Sequence, residues 1–161
     1  IGAGGIGRAL ARRLEGFECH VTLVARTSRD GVRAREELPD LLPVADVVVL
    51  AVPLDETTRG LVDATFLKRM KDGSLLVNVA RGAVADTDAL LAEAGRLQFA
   101  LDVTDPEPLP PGHPLWQSPG VLISPHVGGN TSAFLPRVAR LVDEQARRWI
   151  SGESVLHVIV S

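Results

Sequence analysis

Apolar and polar positions follow two rhythms along the 161 residues of the chain. Ile6, Leu10 and Leu14 fall four apart, the spacing of one helix face, and predict a helix over 5–14. Short runs rich in Val and Leu predict strands over 20–25, 44–52, 74–80, 97–103 and 121–124. Ile1 reads as the last residue of a buried strand that begins before it. The run 44–52 carries a single Asp, which suits a central strand buried on both faces, and Pro53 ends it. Helices are expected over 63–70, capped by Asp63 or Thr65, and over 87–94, introduced by Asp86 and Asp88. Another is expected over 135–150 and ends before Gly152. Between these lie an irregular connection over 29–42, broken by Gly31, Pro39 and Pro43, and an Asp72-Gly73 turn. Residues 105–120 hold six prolines and predict an extended loop; 155–160 read as extended and apolar.

Strands that alternate with helices predict an α/β fold, a Rossmann-type doubly wound parallel sheet. Ligands in such sheets bind beyond the carboxyl ends of the strands, so the residues just after each strand are the candidates for chemistry. Size suits one domain, with residues 1–161 forming it. The net charge of −3 and the absence of Tyr argue against a nucleic-acid surface, and no apolar run reaches the ~20 residues that span a bilayer. Cys19 is the only cysteine, which excludes an intrachain disulfide and suits a reducing, cytoplasmic setting.

Gly2, Gly4 and Gly7 form a G-x-G-x-x-G turn between a strand end and an amphipathic helix. Gly2 permits the tight turn, Gly4 lets the backbone approach a pyrophosphate, and Gly7 lets the helix pack closely. An acidic residue at the end of the second strand would bond the adenosine ribose hydroxyls. Here the strand end reads Ala25-Arg26-Thr27-Ser28-Arg29. Arg26 can grip a phosphate and stack on adenine, and Thr27, Ser28 and Arg29 add donors. This favours NADP(H) over NAD(H); the alternative is a solvated arginine pair.

Three polar residues follow predicted strands or lie in the proline-rich loop: Arg81, Glu107 and His126. Reduction of a 2-oxo acid needs a cation for the carboxylate, a proton donor for the carbonyl oxygen and a group that tunes that donor. Arg81 suits the first, His126 the second and Glu107 the third, because a carboxylate beside an imidazole favours its protonated form.

At these residues the chain resembles the cofactor-binding domain of the D-isomer-specific 2-hydroxyacid dehydrogenases. The resemblance runs through Gly2-Ala3-Gly4-Gly5-Ile6-Gly7, 53–60 (P-L-D-E-T-T-R-G), 70–82 (M-K-D-G-S-L-L-V-N-V-A-R-G), 101–109 (L-D-V-T-D-P-E-P-L), His113-Pro114-Leu115-Trp116 and 125–129. It implies that Arg81 binds and polarises substrate, that His126 is the acid/base and that Glu107 is its partner. It also implies that Asp102 lies beside the nicotinamide carboxamide. Val52, Pro53, Thr58, Val79 and Ala80 match cofactor-lining positions; Gly5, Ile6, Gly128 and Gly129 fall in the matching segments. Gly5 stands where many members have Arg, which removes one pyrophosphate contact. Arg26 and Arg29 look like those of the NADPH-preferring glyoxylate/hydroxypyruvate reductases. Formate dehydrogenases carry Gln in place of the catalytic Glu, so Glu107 argues against formate.

The expected activity is therefore NADP(H)-dependent interconversion of a small 2-oxo acid and its D-2-hydroxy acid. The alternatives are an NAD-dependent member and a cofactor-sensing, corepressor-like binding protein. The resemblance implies a second, substrate-binding domain, made by preceding residues and a C-terminal tail, and a homodimer. No metal is expected, since His20, His113 and His157 lack ligand spacing. Cys19 is expected to be a small buried residue and Trp116 to be packing, although the resemblance also lets Trp116 close over a neighbouring subunit's site. The helix over 135–150 is expected to pack on the sheet or on the missing domain.

Overall fold

Helix α1 (Gly5–Leu14) occupies the span that the periodicity predicts, with Gly4 at its N-cap. A computed structural model of the chain describes residues 1–156 and 158. The strands that follow are short: β1 (Leu23–Ala25), β2 (Val32–Ala34), β3 (Val47–Leu50), β4 (Leu75–Asn78), β5 (Gln98–Leu101) and β6 (Val121–Ile123). Between them lie α2 (Leu38–Leu41), α3 (Ala64–Arg69) and α4 (Thr87–Glu93), and α5 (Phe134–Ile150) comes last. Asp63 caps α3 by accepting the Phe66 N–H, and Asp86 caps α4 by accepting that of Ala89. The strands form two parallel sets, β1-β2 and β3-β4-β5-β6. This is the parallel sheet of a Rossmann-like domain.

Ile1 and Gly2 run between the two sets. Gly2 N–H donates to the Val24 carbonyl at 2.8 Å, and Ala51 N–H donates to that of Ile1 at 2.8 Å. Ile1 and Gly2 thus join the two sets through backbone hydrogen bonds. Beside them, an open groove of about 780 Å³ separates β1 from β3. Val44, Val47 and Cys19 line this groove, so Val44 and Val47 are exposed rather than buried as a two-sided central strand predicts. Cys19 is exposed as well, which corrects the expectation of a buried thiol.

The core gathers around Leu50, Leu67, Met70, Leu76, Leu97, Phe99 and Leu115, each at most 2% exposed. At about 25 cal/mol per Å² of apolar surface, complete burial of each such side chain contributes on the order of 2 kcal/mol. The irregular connection over 29–42 proves to contain β2, which pairs with β1 in register Leu23 to Val32. The proline-rich loop holds one 3-10 turn, Pro114–Gln117, and two cis peptides, Asp105–Pro106 and Glu107–Pro108. Trp116 is half exposed and donates its indole N–H to the Pro110 carbonyl at 2.9 Å, so it is not a core residue.

The chain divides into two compact units, Ile1–His126 and Val127–Ser161. The second is built on α5, none of whose residues is buried. The expected extended segment 155–160 lies partly outside the described residues, as does His157. Among the described residues, no helix is long and apolar enough to cross a membrane.

Candidate active site

The register of β4, β5 and β6 sets Asn78, Leu101 and Ile123 side by side. The chain continues past this line in step: Asp102 N–H donates to the Asn78 carbonyl at 3.0 Å, and Ser124 N–H to that of Leu101 at 2.8 Å. Ser124 Oγ then donates to Asp102 Oδ1 at 2.5 Å. Arg81 lies three residues beyond Asn78, and His126 three beyond Ile123. The strand ends therefore bring Arg81, Asp102 and His126 to one edge of the sheet.

Glu107 reaches the same edge from the proline-rich loop. Its Oε1 lies 2.6 Å from Nδ1 of His126, with both side chains a little under half exposed. A carboxylate oxygen accepts, so in this pairing Nδ1 is the donor and Nε2 is the ring nitrogen left for another partner. His126 has φ +54, a left-handed backbone that costs a non-glycine residue about 1–2 kcal/mol. Such strain gathers where a side chain must be aimed. Arg81 is exposed and donates to its neighbour, the Ala80 carbonyl, at 2.6 Å. Among the described residues it pairs with no carboxylate, so its charge is available to an anion.

Two residues that the sequence did not single out build this edge. Asn78 is 1% exposed; its side chain accepts the Ala80 N–H at 3.0 Å and donates to the Arg81 carbonyl at 3.1 Å. A lone Asn closing an apolar strand is the signal that was available. Gly82 packs so closely that a Cβ would lie 1.8 Å from the Thr104 carbonyl oxygen. It draws the Arg81 turn against the start of the Glu107 loop.

The glycine turn stands at the far side. Gly2 has φ +107, and a Cβ there would meet the Ala51 carbonyl oxygen at 2.3 Å. A Cβ on Gly7 would lie 1.9 Å from the Gly2 carbonyl oxygen. Gly4 and Gly5 face open space, and Ile6 is exposed. The N-terminus of α1 has no side-chain cap and no acid in its first turn, so its N–H groups and positive end suit a phosphate. Arg8 Nε and Arg29 Nη2 both donate to the Ala3 carbonyl, at 3.1 and 3.4 Å. Arg26, at the end of β1, pairs with Asp55 at 3.0 Å; Thr27 is exposed beside it. Val52 and Pro53 follow β3, and buried Thr58 donates to the Pro53 carbonyl at 2.7 Å, closing that loop. Val79 is partly exposed and Ala80 buried after β4. Gly128 and Gly129 belong to the second unit.

A phosphate-ready glycine turn on a parallel sheet, with polar side chains along the same carboxyl edge, defines a Rossmann-type dinucleotide-binding domain. Residues 1–128 match the model of "D-isomer specific 2-hydroxyacid dehydrogenase, NAD binding domain", and the chain belongs to that family. It is 34% identical to a mitochondrial formate dehydrogenase of Solanum tuberosum over 95% of this chain and 43% of that protein. It is 36% identical to a glyoxylate reductase of Thermofilum pendens, over 95% of this chain and 48% of the other. A D-isomer specific 2-hydroxyacid dehydrogenase of Xanthobacter autotrophicus, solved with NADPH and MES, superposes with a TM-score of 0.88 at 36% identity. That match covers 99% of this chain and 68% of the other. The chain thus spans less than half the length of the two enzymes compared by sequence.

Proposed function

We propose that the protein is an NADP(H)-dependent oxidoreductase that interconverts a small 2-oxo acid and its D-2-hydroxy acid. The observation that carries this reading is the 2.6 Å pairing of Glu107 with Nδ1 of His126 at the strand edge that also presents Arg81. Bound nicotinamide would exchange hydride with C2 of the substrate. Arg81 holds the substrate carboxylate and polarises the carbonyl. His126, aimed by its left-handed backbone and by Glu107, delivers a proton from Nε2 to the carbonyl oxygen. In the reverse direction Nε2 takes the proton back. Asp102 lies next to the nicotinamide end, and the residues of the glycine turn hold the pyrophosphate.

Ala25 in place of an acid, with Arg26 and Arg29 beside it, supports a ribose 2′-phosphate and hence NADP(H). The NADPH bound by the Xanthobacter relative is consistent with that reading. A specific observation favours the NAD(H) alternative: Arg26 already has a carboxylate partner in Asp55. Glu107 weighs against formate as substrate, despite the likeness to formate dehydrogenases. In this proposal residues 1–161 supply the cofactor half of the cleft. Further chain supplies the substrate half, and two copies pair in a reducing, cytoplasmic setting.

The test is NADPH consumption by the full-length protein with glyoxylate, hydroxypyruvate and pyruvate. Tight cofactor binding without turnover of any 2-oxo acid sinks the catalytic reading and favours a cofactor sensor. Comparison of Michaelis constants for NADPH and NADH decides the cofactor.

A further inference from the structure

The loop 53–60 carries a carboxylate that the chemistry above does not use. Asp55 sits at its start, and its Oδ2 accepts from Arg26 Nη2 at 3.0 Å. Its other oxygen is fixed from behind. Oδ1 accepts from the Thr57 N–H at 2.8 Å and from Thr57 Oγ1 at 2.7 Å. Thr58 Oγ1 in turn takes the Asp55 N–H at 2.8 Å, so both backbone and side chain of Asp55 are tied to the turn. The turn is itself latched to the next element by Arg35, whose Nη1 donates to the Thr57 carbonyl at 2.6 Å. Asp55 is therefore a negative charge tied to its own turn by hydrogen bonds.

Arg26 is the more exposed partner. Its side chain is 67% exposed, against 36% for Asp55. It spends one nitrogen, Nη2, on Asp55 and on Thr57 Oγ1 at 3.3 Å. Among the described residues, Nε and Nη1 have no protein partner. Exposed ion pairs contribute little net stability, so such a guanidinium changes partners at small cost.

We propose that Asp55 is a positioning residue that tempers cofactor choice: it holds Arg26 in readiness and sets a fixed negative charge against any phosphate that Arg26 receives. This rests on the assignment of Arg26 to the adenosine end of the cofactor. A 2′-phosphate must share the guanidinium with Asp55 and bear its repulsion; a ribose 2′-hydroxyl carries no charge and bears almost none. The ion pair thus narrows the gap between NADPH and NADH that two unopposed arginines would create.

The test is Asp55→Asn, which keeps an acceptor for the Thr57 N–H and removes the charge. Dissociation constants for NADPH and NADH are measured by the fluorescence of the bound dihydronicotinamide. NADPH binding is expected to tighten about three- to tenfold, the size of a charge–charge term across a few ångströms of solvated surface. NADH binding is expected to move less than about twofold, and the NADPH gain to shrink as salt is raised. An unchanged or weakened preference for NADPH, read as the NADH dissociation constant divided by that of NADPH, overturns the proposal, as does an equal gain for both. Asp55→Ser retains a hydroxyl acceptor and carries the same expectation should the first variant fold poorly. The cofactor assignment fails separately: wild-type protein that prefers NADH refutes it. The role of Asp55 is still decided by whether its replacement changes the ratio.

Discussion

The two ends of the strand row are held by different means. At β4, β5 and β6 the functional residues hang on backbone contacts: strand register, the buried amide of Asn78, and Gly82 pressed against the Thr104 carbonyl. At β1 the corresponding residues are exposed arginines, Arg26 held by the Asp55 side chain and Arg29 by the Ala3 carbonyl. Proton transfer depends on sub-ångström placement, which the packed backbone beneath Arg81 supplies better than an exposed ion pair alone. Grip on a phosphate tolerates looser geometry, because charge acts at longer range. On the proposed function, a rigid reaction end and an adjustable recognition end follow from that division.

The comparison breaks most sharply at His126. Exchange to Asn, which tolerates the left-handed backbone, should reduce turnover by about 10²- to 10⁴-fold while cofactor affinity stays within a few-fold. Equal loss of both, in steady-state kinetics and direct binding, would remove His126 from proton transfer. Next comes Gly82→Ala, whose methyl would overlap backbone that cannot yield. About 3 kcal/mol of stability should vanish in a denaturant titration, and a silent substitution would show that the Arg81 turn is not wedged there. Asn78→Leu should cost about 1–3 kcal/mol by stranding the Ala80 N–H and the Arg81 carbonyl.

At the other end the effects should be on binding alone. Arg26→Ala should weaken NADPH by about tenfold or more, the worth of a charge-assisted contact, and leave the unfolding midpoint nearly unchanged. Smallest is the titration of Asp55, whose carboxyl is held below the usual carboxylate range chiefly by the hydrogen bond from Thr57, with Arg26 adding to it. A lowered value in the folded state means the contribution of this group is present above its unfolded pKa and fades as pH falls through the folded one. Carboxyl NMR shifts report that value directly, and an ordinary value would mean that the turn does not fix the charge.

The rigid end was also the more legible in the sequence. Helix α1 and strands β3 to β6 follow from apolar runs, although the structure trims each strand to its paired residues. Arg81, Glu107 and His126 stand out as candidates because each lies beyond a strand or in a loop that prolines mark. Strand β2 was missed because three residues after Gly31 carry no usable period; pairing with β1 makes them a strand. Asn78 and Gly82 were passed over since a buried amide and a backbone collision are tertiary facts. Cys19 departs from expectation for the same reason: residue type suggests burial, but only neighbours provide it. The hold of Asp55 on Arg26 spans 29 positions and leaves no local mark.

The left-handed backbone of His126 bears on any mutational library at this position. Variants there pass through two separate filters, one conformational and one chemical. Asn and Gly enter this region readily, whereas Gln, Ala and β-branched residues resist it. A Gln variant therefore mixes a shifted loop with a missing imidazole. His126→Asn keeps the loop and removes only the titrating ring, which makes it the cleaner inactive control for cofactor-bound structural work.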